Sequence, residues 1–246
     1  MLLHHLTQPA EKANRLGGGT PYEDHMTTQT GSPYIRDLSN LTLRDLSADD
    51  VAYCHLSRRG WEQIKGCTVY TTLDDIETEM RQSQGIVNTS SYVPLLAGFS
   101  ILEQLGSTYR NRKMKRHPTS GGGIEHALYY FCGYPPMSPE VKALYALRNG
   151  LIHAASLTSS DQGSGARYIF RYDYNMQTAI QTAQVAWDGQ FSTIDRAVMT
   201  LVNPRKLTDQ VSEAIALVRG LFFHDRDNLR ILRTPGQIIA DHLIWR

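Results

Sequence analysis

The chain contains 246 residues, of which 41% are apolar, and its formal net charge is +1 at pH 7. A chain of this length and composition can bury one sizeable hydrophobic core, alone or with a small appendage. The near-neutral charge balance excludes a globally basic nucleic-acid-binding protein, so any surface that binds phosphate groups has to be local.

The cysteines and the hydropathy pattern further restrict the class of protein to which the chain can belong. Cys54, Cys67 and Cys132 are odd in number and far apart in the chain, which argues against a disulfide framework and against a zinc site. No apolar run approaches the ~18 residues of a membrane span, and no signal-peptide core follows Met1. The sequence predicts a cytoplasmic protein with no metal, no other cofactor and no membrane-spanning segment.

Residues 1–34 are rich in Gly, Thr, Gln, Pro and His and show no hydrophobic periodicity, which predicts a disordered tail. The remaining residues, 35–246, are expected to form one domain. Apolar residues recur at helical spacing, and they predict helices at 74–84, 91–116, 124–132, 138–156 and 207–223.

Aromatic and charged residues alternate at 167–173, which predicts a strand, and residues 182–187 are its expected hairpin partner. The predicted fold class is therefore mainly α: an antiparallel helical bundle with a small β-hairpin appendage near residues 167–187.

The helix predicted at 91–116 ends in the densest charge of the chain. Five cations occur within seven residues: Arg110, Arg112, Lys113, Lys115 and Arg116. One interpretation is a solubilising, frayed helix end, where cations also suit the helix dipole. The other is an RNA-binding patch for phosphate groups, beside which Tyr109 can stack on a base. The glycines at 121–123 lack the Lys-Ser/Thr pair of a Walker loop, so nucleotide hydrolysis is excluded.

The helix at 138–156 carries the most informative pattern. Ser138 is a good N-cap, and Pro139 suits the first helical position. The predicted buried stripe of this helix consists of Val141, Leu144, Tyr145, Leu151, Ile152 and Ala155. Arg148 interrupts this stripe, and an unpaired guanidinium is costly to bury. Arg148 is therefore expected to meet a carboxylate, to reach a cleft or to face a partner. Glu103, at the edge of the preceding apolar stripe, is either a solvated flank residue or the counter-ion of Arg148.

Arg148-Asn149, three further residues and then His153 form an Arg-Asn-x-x-x-His pattern. The pattern resembles the motif of HEPN domains, helical-bundle domains of which many are metal-independent ribonucleases. It lies late in a capped helix that follows a long Glu-bearing helix, so the resemblance covers about residues 73–156. It implies an HEPN-like helical domain at 35–246 and a role in toxin, abortive-infection or antiviral-defence systems.

The resemblance also implies a catalytic role for each residue of the motif. Arg148 would stabilise the charge of a pentacovalent phosphorane, for which a guanidinium offers two donors. His153 would act as acid or base, because its ordinary pKa is close to neutrality. Asn149 would position either group. The product would be a 2′,3′-cyclic phosphate.

One imidazole serves poorly as acid and base at once, and HEPN nucleases typically pair two motifs. A homodimer is therefore expected, with two copies of the motif helix in one cleft. An antitoxin or other regulatory partner is a further expectation, although Ala155 stands where some HEPN toxins carry a tyrosine that their partner modifies.

Three hypotheses follow. The first is an RNA-cleaving enzyme. The second is a non-catalytic RNA-binding or regulatory module that uses the basic segment, residues 110–116. The third is a structural interaction protein in which Arg148 is buried against Glu103.

Overall fold

The computed structural model describes residues 37–87, 90–161 and 164–246, which all fall within one contact unit, Ser32–Arg246. The tail predicted at 1–34 lies outside the described residues. In the described part of the chain the helices are α1 (Ala48–Leu56), α2 (Thr72–Ser83), α3 (Val93–Thr108), α4 (Gly123–Cys132), α5 (Pro139–Ala154), α6 (Pro204–His224) and α7 (Pro235–His242).

The same residues also contain nine short strands. They are β1 (Trp61–Ile64), β2 (Cys67–Thr71), β3 (Tyr109–Asn111), β4 (Thr158–Ser160), β5 (Arg167–Tyr172), β6 (Ile180–Gln181), β7 (Met199–Val202), β8 (Leu229–Ile231) and β9 (Leu243–Trp245). They form three sheets with the strand orders β1-β2-β9, β3-β8 and β4-β5-β7-β6.

The prediction of a mainly α bundle with one hairpin is wrong, because the fold is mixed α/β. Strand β5 exists at the predicted place, but it pairs in parallel with β7 and antiparallel with β4. Residues 182–187 form no strand, and the two-residue β6 pairs with β7 instead. A parallel pair needs a long crossover between its strands, so its partner cannot be read from adjacent residues.

Helix α5 begins and ends as its sequence predicts. The Ser138 hydroxyl accepts from the Val141 amide, and Pro139 occupies the first helical position. The helix stops before Ala155, which is in the left-handed region with φ 48° and ψ 37°. The Ala155 and Ser156 amides then donate to the carbonyls of Leu151 and Gly150, which satisfies the last turn.

The buried face of α5 differs from the predicted stripe. Helix α5 contacts α3 and α4 as well as β4, β5 and β6. Its buried side chains include Ala143, Leu144 and Leu147, whereas Tyr145 is 38% exposed and Ile152 is 43% exposed. The buried face is therefore rotated relative to the prediction, and Arg148 lies at its half-buried border rather than in its middle.

Helices α3 and α4 approach each other closely at Gly106. A Cβ atom added to Gly106 would lie 1.8 Å from the carbonyl oxygen of Gly123 and 2.5 Å from the amide nitrogen of Ala127. The helices can approach this closely because Gly106 has no side chain. The contact fixes the end of α3 against the start of α4.

Candidate functional site

The end of α5 holds the three residues predicted to be catalytic. The Arg148 Nη1 atom donates to Asn149 Oδ1 over 3.0 Å, so the amide orients the guanidinium. The Arg148 Nε atom is buried and has no hydrogen-bond partner. No described carboxylate forms an ion pair with Arg148. The guanidinium is therefore a cation, oriented by Asn149, that has no compensating carboxylate among the described residues.

His153 is exposed in the last turn of α5, four residues after Asn149. Residues at this spacing are neighbours on one helix surface, about 6 Å apart along the axis. The helix end beneath His153 is anchored, because the Tyr92 hydroxyl donates to the Leu151 carbonyl over 2.9 Å. The structure thus brings Arg148 and Asn149 into contact and places His153 one turn further along the surface.

Glu103 does not meet Arg148. Its Oε2 atom accepts from the Ile124 amide over 3.2 Å, so it compensates the free amides at the start of α4. Glu125 accepts from the Gly122 amide in the same turn, over 3.1 Å. Two carboxylates thus occupy the glycine-rich start of α4, which leaves no room there for a phosphate group.

Tyr109, predicted to stack on a base, is completely buried. Its hydroxyl lies 2.9 Å from His55 Nδ1 in the core. The predicted helix ends at Thr108, and the chain continues as β3, which pairs with β8. Because both faces of its ring are covered, Tyr109 cannot contact a base.

The cations that follow Tyr109 differ in their partners. Lys113 Nζ pairs with Asp225 Oδ2 at 2.5 Å, and Arg112 Nη1 donates to the Asp227 carbonyl at 3.4 Å. Lys115 and Arg116 are exposed, and neither pairs with an acid in the described ranges. Arg110 is half-buried with an unpartnered Nε atom. The basic segment therefore keeps cations that are free to bind a polyanion.

The catalytic residues predicted on α5 and the basic segment, residues 110–116, lie near opposite ends of α3. Tyr92, just before α3, contacts the end of α5, whereas the basic segment begins just after α3. Since α3 has 16 residues, its ends are roughly 24 Å apart. One copy of the chain thus does not combine Arg148 and the basic segment in a single site.

Comparison of the chain with protein-family models finds no match, and comparisons with curated protein sequences and with solved structures find no significant similarity. Helices that could cross a bilayer, being both long and apolar enough, do not occur among the described residues.

The surface also contains two grooves that no pattern in the sequence predicted. A groove of about 700 Å³ lies between the end of α4 and the start of α6, and its charged residues are Glu140, Lys206, Asp209 and Glu213. A second, of about 530 Å³, is lined by Tyr168 and Trp187 with Lys142 at its edge. Groups of three or more side chains able to hold a metal are absent from the ranges that the structure describes.

Two histidines form a buried polar cluster far from these surfaces. His55 is completely buried, with Nδ1 at 2.9 Å from the Tyr109 hydroxyl and Nε2 at 3.1 Å from Gln104 Oε1. The ring of His242 stacks on it at 5.0 Å between centroids. Burial and the neighbouring His242 lower the pKa of His55 to about 3, and burial also lowers the pKa of His242.

This cluster predicts that the protein loses stability in mild acid. Because the pKa of His55 is lower in the folded chain than its ordinary value of about 6.5, the unfolded chain binds more protons below that pH. Above pH 6.5 these two histidines do not lower the free energy of unfolding. Below pH 6.5 the free energy of unfolding falls by about 1.4 kcal/mol per pH unit for His55 alone, with a further loss from His242.

Urea unfolding at pH 7.5, 5.5 and 4.5 measures the effect, in a window above the ordinary pKa of the carboxylates. Replacing His153, an exposed histidine, by glutamine serves as the control and should leave the pH dependence unchanged. A free energy of unfolding that is constant from pH 7.5 to 4.5 would contradict the prediction.

Proposed function

We propose that the protein is a metal-independent endoribonuclease whose reacting groups are Arg148, Asn149 and His153. The observation that carries the proposal is the guanidinium of Arg148, which has no carboxylate partner among the described residues and is oriented by Asn149. An exposed imidazole lies one turn away. A phosphate group is the ligand whose charge and geometry suit such a cation.

In the proposed reaction a ribose 2′-oxygen attacks the adjacent phosphorus, and the 5′-oxygen of the next nucleotide leaves. His153 accepts the 2′-hydroxyl proton, and Arg148 donates hydrogen bonds to the phosphoryl oxygens as negative charge accumulates on them. Asn149 holds the guanidinium in place. The products are a 2′,3′-cyclic phosphate and a 5′-hydroxyl.

The leaving oxygen needs a proton donor, which a second copy of His153 supplies in a homodimer. The exposed face of α5 supports such a contact, because Tyr145 and Ile152 present apolar surface on either side of Arg148. Exposed apolar side chains of this kind are typical of surfaces that another protein covers, and a two-fold contact would bring both motifs to one cleft.

The toxin or defence role, with an antitoxin or other regulatory partner, belongs to the same proposal and rests on the resemblance of the motif. The cytoplasm is the proposed location. Cys54, Cys67 and Cys132 are free thiols in the structure.

Digestion of RNA in EDTA tests the proposal. The parent protein should cleave, and His153→Ala and Arg148→Ala should each cleave at least about 100-fold more slowly, the usual contribution of a positioned acid or base. His224→Ala is the matched control, because His224 is also an exposed histidine in the last turn of a helix. Circular dichroism verifies that each variant folds.

Equal cleavage by the parent and by the double variant of Arg148 and His153 would refute the proposed site. Identification of a 2′,3′-cyclic phosphate end in the product distinguishes this chemistry from metal-dependent hydrolysis by a contaminating nuclease.

A non-catalytic RNA-binding module is the second candidate, and the exposed, unpaired Lys115 and Arg116 favour it. It predicts salt-sensitive RNA binding without cleavage. Replacing both residues by glutamine should weaken binding and lower its salt dependence, as fluorescence anisotropy of a labelled RNA would measure. The structural hypothesis is disfavoured, because Arg148 and Glu103 are not paired.

A further inference from the structure

Strands β3 and β8 form a two-stranded ribbon that places two arginines directly opposite each other. The register pairs Arg110 with Arg230. Tyr109 and Leu229, on the neighbouring positions, are buried, so the arginines project from the outer face of the ribbon. Side chains that are opposite on one face have their Cβ atoms roughly 4.5–5.5 Å apart.

The backbone holds this pair firmly in register. Beyond the ribbon, the Leu232 amide donates to the Thr108 carbonyl at one end, and the Arg112 amide donates to the Asn228 carbonyl at the other, each over 2.8 Å. The hydrogen-bond ladder thus continues on both sides of the arginine pair. Arg112, two residues after Arg110, lies on the same outer face.

No described carboxylate compensates the pair. Arg110 and Arg230 form no ion pair with the residues that the structure describes, and the nearby Asp225 is already paired with Lys113. Like charges directly opposite each other destabilise a ladder. The buried Nε atom of Arg110 adds to the cost, because it lacks a hydrogen-bond acceptor.

An oxyanion between the two guanidinium groups would remove the first of these costs. It would neutralise the facing charges and accept hydrogen bonds from the terminal nitrogens of both arginines. Phosphate suits the place better than a carboxylate, because its several oxygens can accept from two planar guanidinium groups at once.

We propose that Arg110 and Arg230 form a phosphate clamp, a site for a phosphate group on the outer face of the β3–β8 ribbon, with Arg112 beside it. The phosphate comes from a nucleic-acid backbone or from free phosphate. Phosphate binding at the clamp does not depend on cleavage at His153. The clamp adds Arg230 to the cations that the sequence predicts to bind RNA.

Thermal unfolding in phosphate and in chloride at equal ionic strength tests the clamp without RNA. The parent should melt at a higher temperature in phosphate, because a ligand that binds only the folded state stabilises it. Arg230→Gln should reduce this difference to the general stabilisation that phosphate gives a folded protein by exclusion from its surface. In chloride it should melt at or above the parent temperature, because it removes the facing charge.

Arg171→Gln is the matched control. Arg171 is likewise exposed on a strand, but it stands opposite Leu201 rather than another cation. The control should keep the phosphate-dependent rise of the parent. A rise that Arg230→Gln retains in full would overturn the proposal.

Anisotropy of a labelled ten-nucleotide oligothymidylate, which lacks the 2′-hydroxyl that the proposed cleavage needs, gives the second arm. Arg110→Gln and Arg230→Gln should each raise Kd about tenfold, as expected for a lost charge-assisted hydrogen bond, and Arg171→Gln should change it much less. The double variant should lose less than the product of the single losses, because both arginines share one ligand.

A response to both ligands supports a general phosphate site, a response to the oligonucleotide alone supports a backbone site, and a response to phosphate alone supports a free-phosphate site. A parent that responds to neither ligand, or arginine variants that match Arg171→Gln in both arms, would overturn the clamp. RNA digestion measures cleavage that depends on His153, independently of phosphate binding at the clamp. Failure of the clamp and failure of the nuclease proposal are therefore distinguishable.

Discussion

Replacement of Gly106 by alanine is expected to lower the free energy of unfolding by about 3 kcal/mol or more, at the upper end of the range for overpacked sites. The new methyl group would lie 1.8 Å from the Gly123 carbonyl oxygen. The obstructing atoms belong to the backbone of α4, so no side-chain rotation relieves the clash. The two helices have to separate, which also disturbs the contact of Glu103 with the start of α4.

Gly220→Ala is the control for this substitution. Gly220 lies within α6, and a Cβ atom added there meets nothing within 4 Å. Alanine has the higher helix propensity, so this variant should be more stable than the parent by about 0.5–1 kcal/mol. Urea unfolding at pH 7.5 measures both variants. Similar stabilities of the two would show that α3 and α4 do not pack as closely as described.

Replacement of Arg219 by methionine is expected to destabilise the fold by about 3 kcal/mol, the lower end of the range for breaking a buried ion pair. Arg219 is only 7% exposed, and its Nε atom donates to the Leu56 carbonyl over 3.0 Å. Its two terminal nitrogens pair with Asp74 at 3.1 Å and Glu77 at 2.9 Å. Methionine fills the space but removes the donor of the Leu56 carbonyl and of Asp74, and it leaves Glu77 paired with Arg81 alone.

The ion pair of Arg81 with Glu77 provides the comparison. This arginine uses the same carboxylate at 2.8 Å, but its side chain is 59% exposed. Exposed pairs contribute little, so Arg81→Met should cost less than about 1 kcal/mol. If both methionine variants unfold at the same urea concentration, Arg219 is not the structural bridge between α1, α2 and α6 that the distances indicate.

Five of the seven helices in the described residues could be predicted, because their signals are local. The expected helix at 124–132 is observed as Gly123–Cys132, and the one at 138–156 as Pro139–Ala154. Ser138 and Pro139 mark the start of α5 within the sequence itself. Caps and apolar spacing of this kind depend on residues within a few positions of each other.

Most of the strands could not be predicted, because their partners are distant in the chain. Tyr109 continues the apolar stripe of α3 and is followed by cations, so the sequence indicates a longer helix. The strand is decided by pairing with residues 229–231 and by the hydrogen bond of Tyr109 with His55. Neither contact can be inferred from the residues next to position 109 in the sequence.

The candidate site was predictable only in part. The residues of the motif were identified from their pattern, and the structure places Arg148 beside Asn149 at the surface. The expected counter-ion was not found, because the sequence does not show which way Glu103 faces. Tyr145 and Ile152 were assigned to the core for their apolar character, whereas Ala143 and Leu147 occupy it.

The ribbon that holds Arg110 opposite Arg230 has a consequence for biosynthesis. The ribosome has to add residues 112–228 before the second strand exists, although α3 and α4 are close in sequence and can associate much earlier. A nascent chain therefore displays Arg110 without its facing cation while about half of the chain is being synthesised. The two arginines acquire their joint affinity for phosphate only late in synthesis, after the intervening helices have emerged.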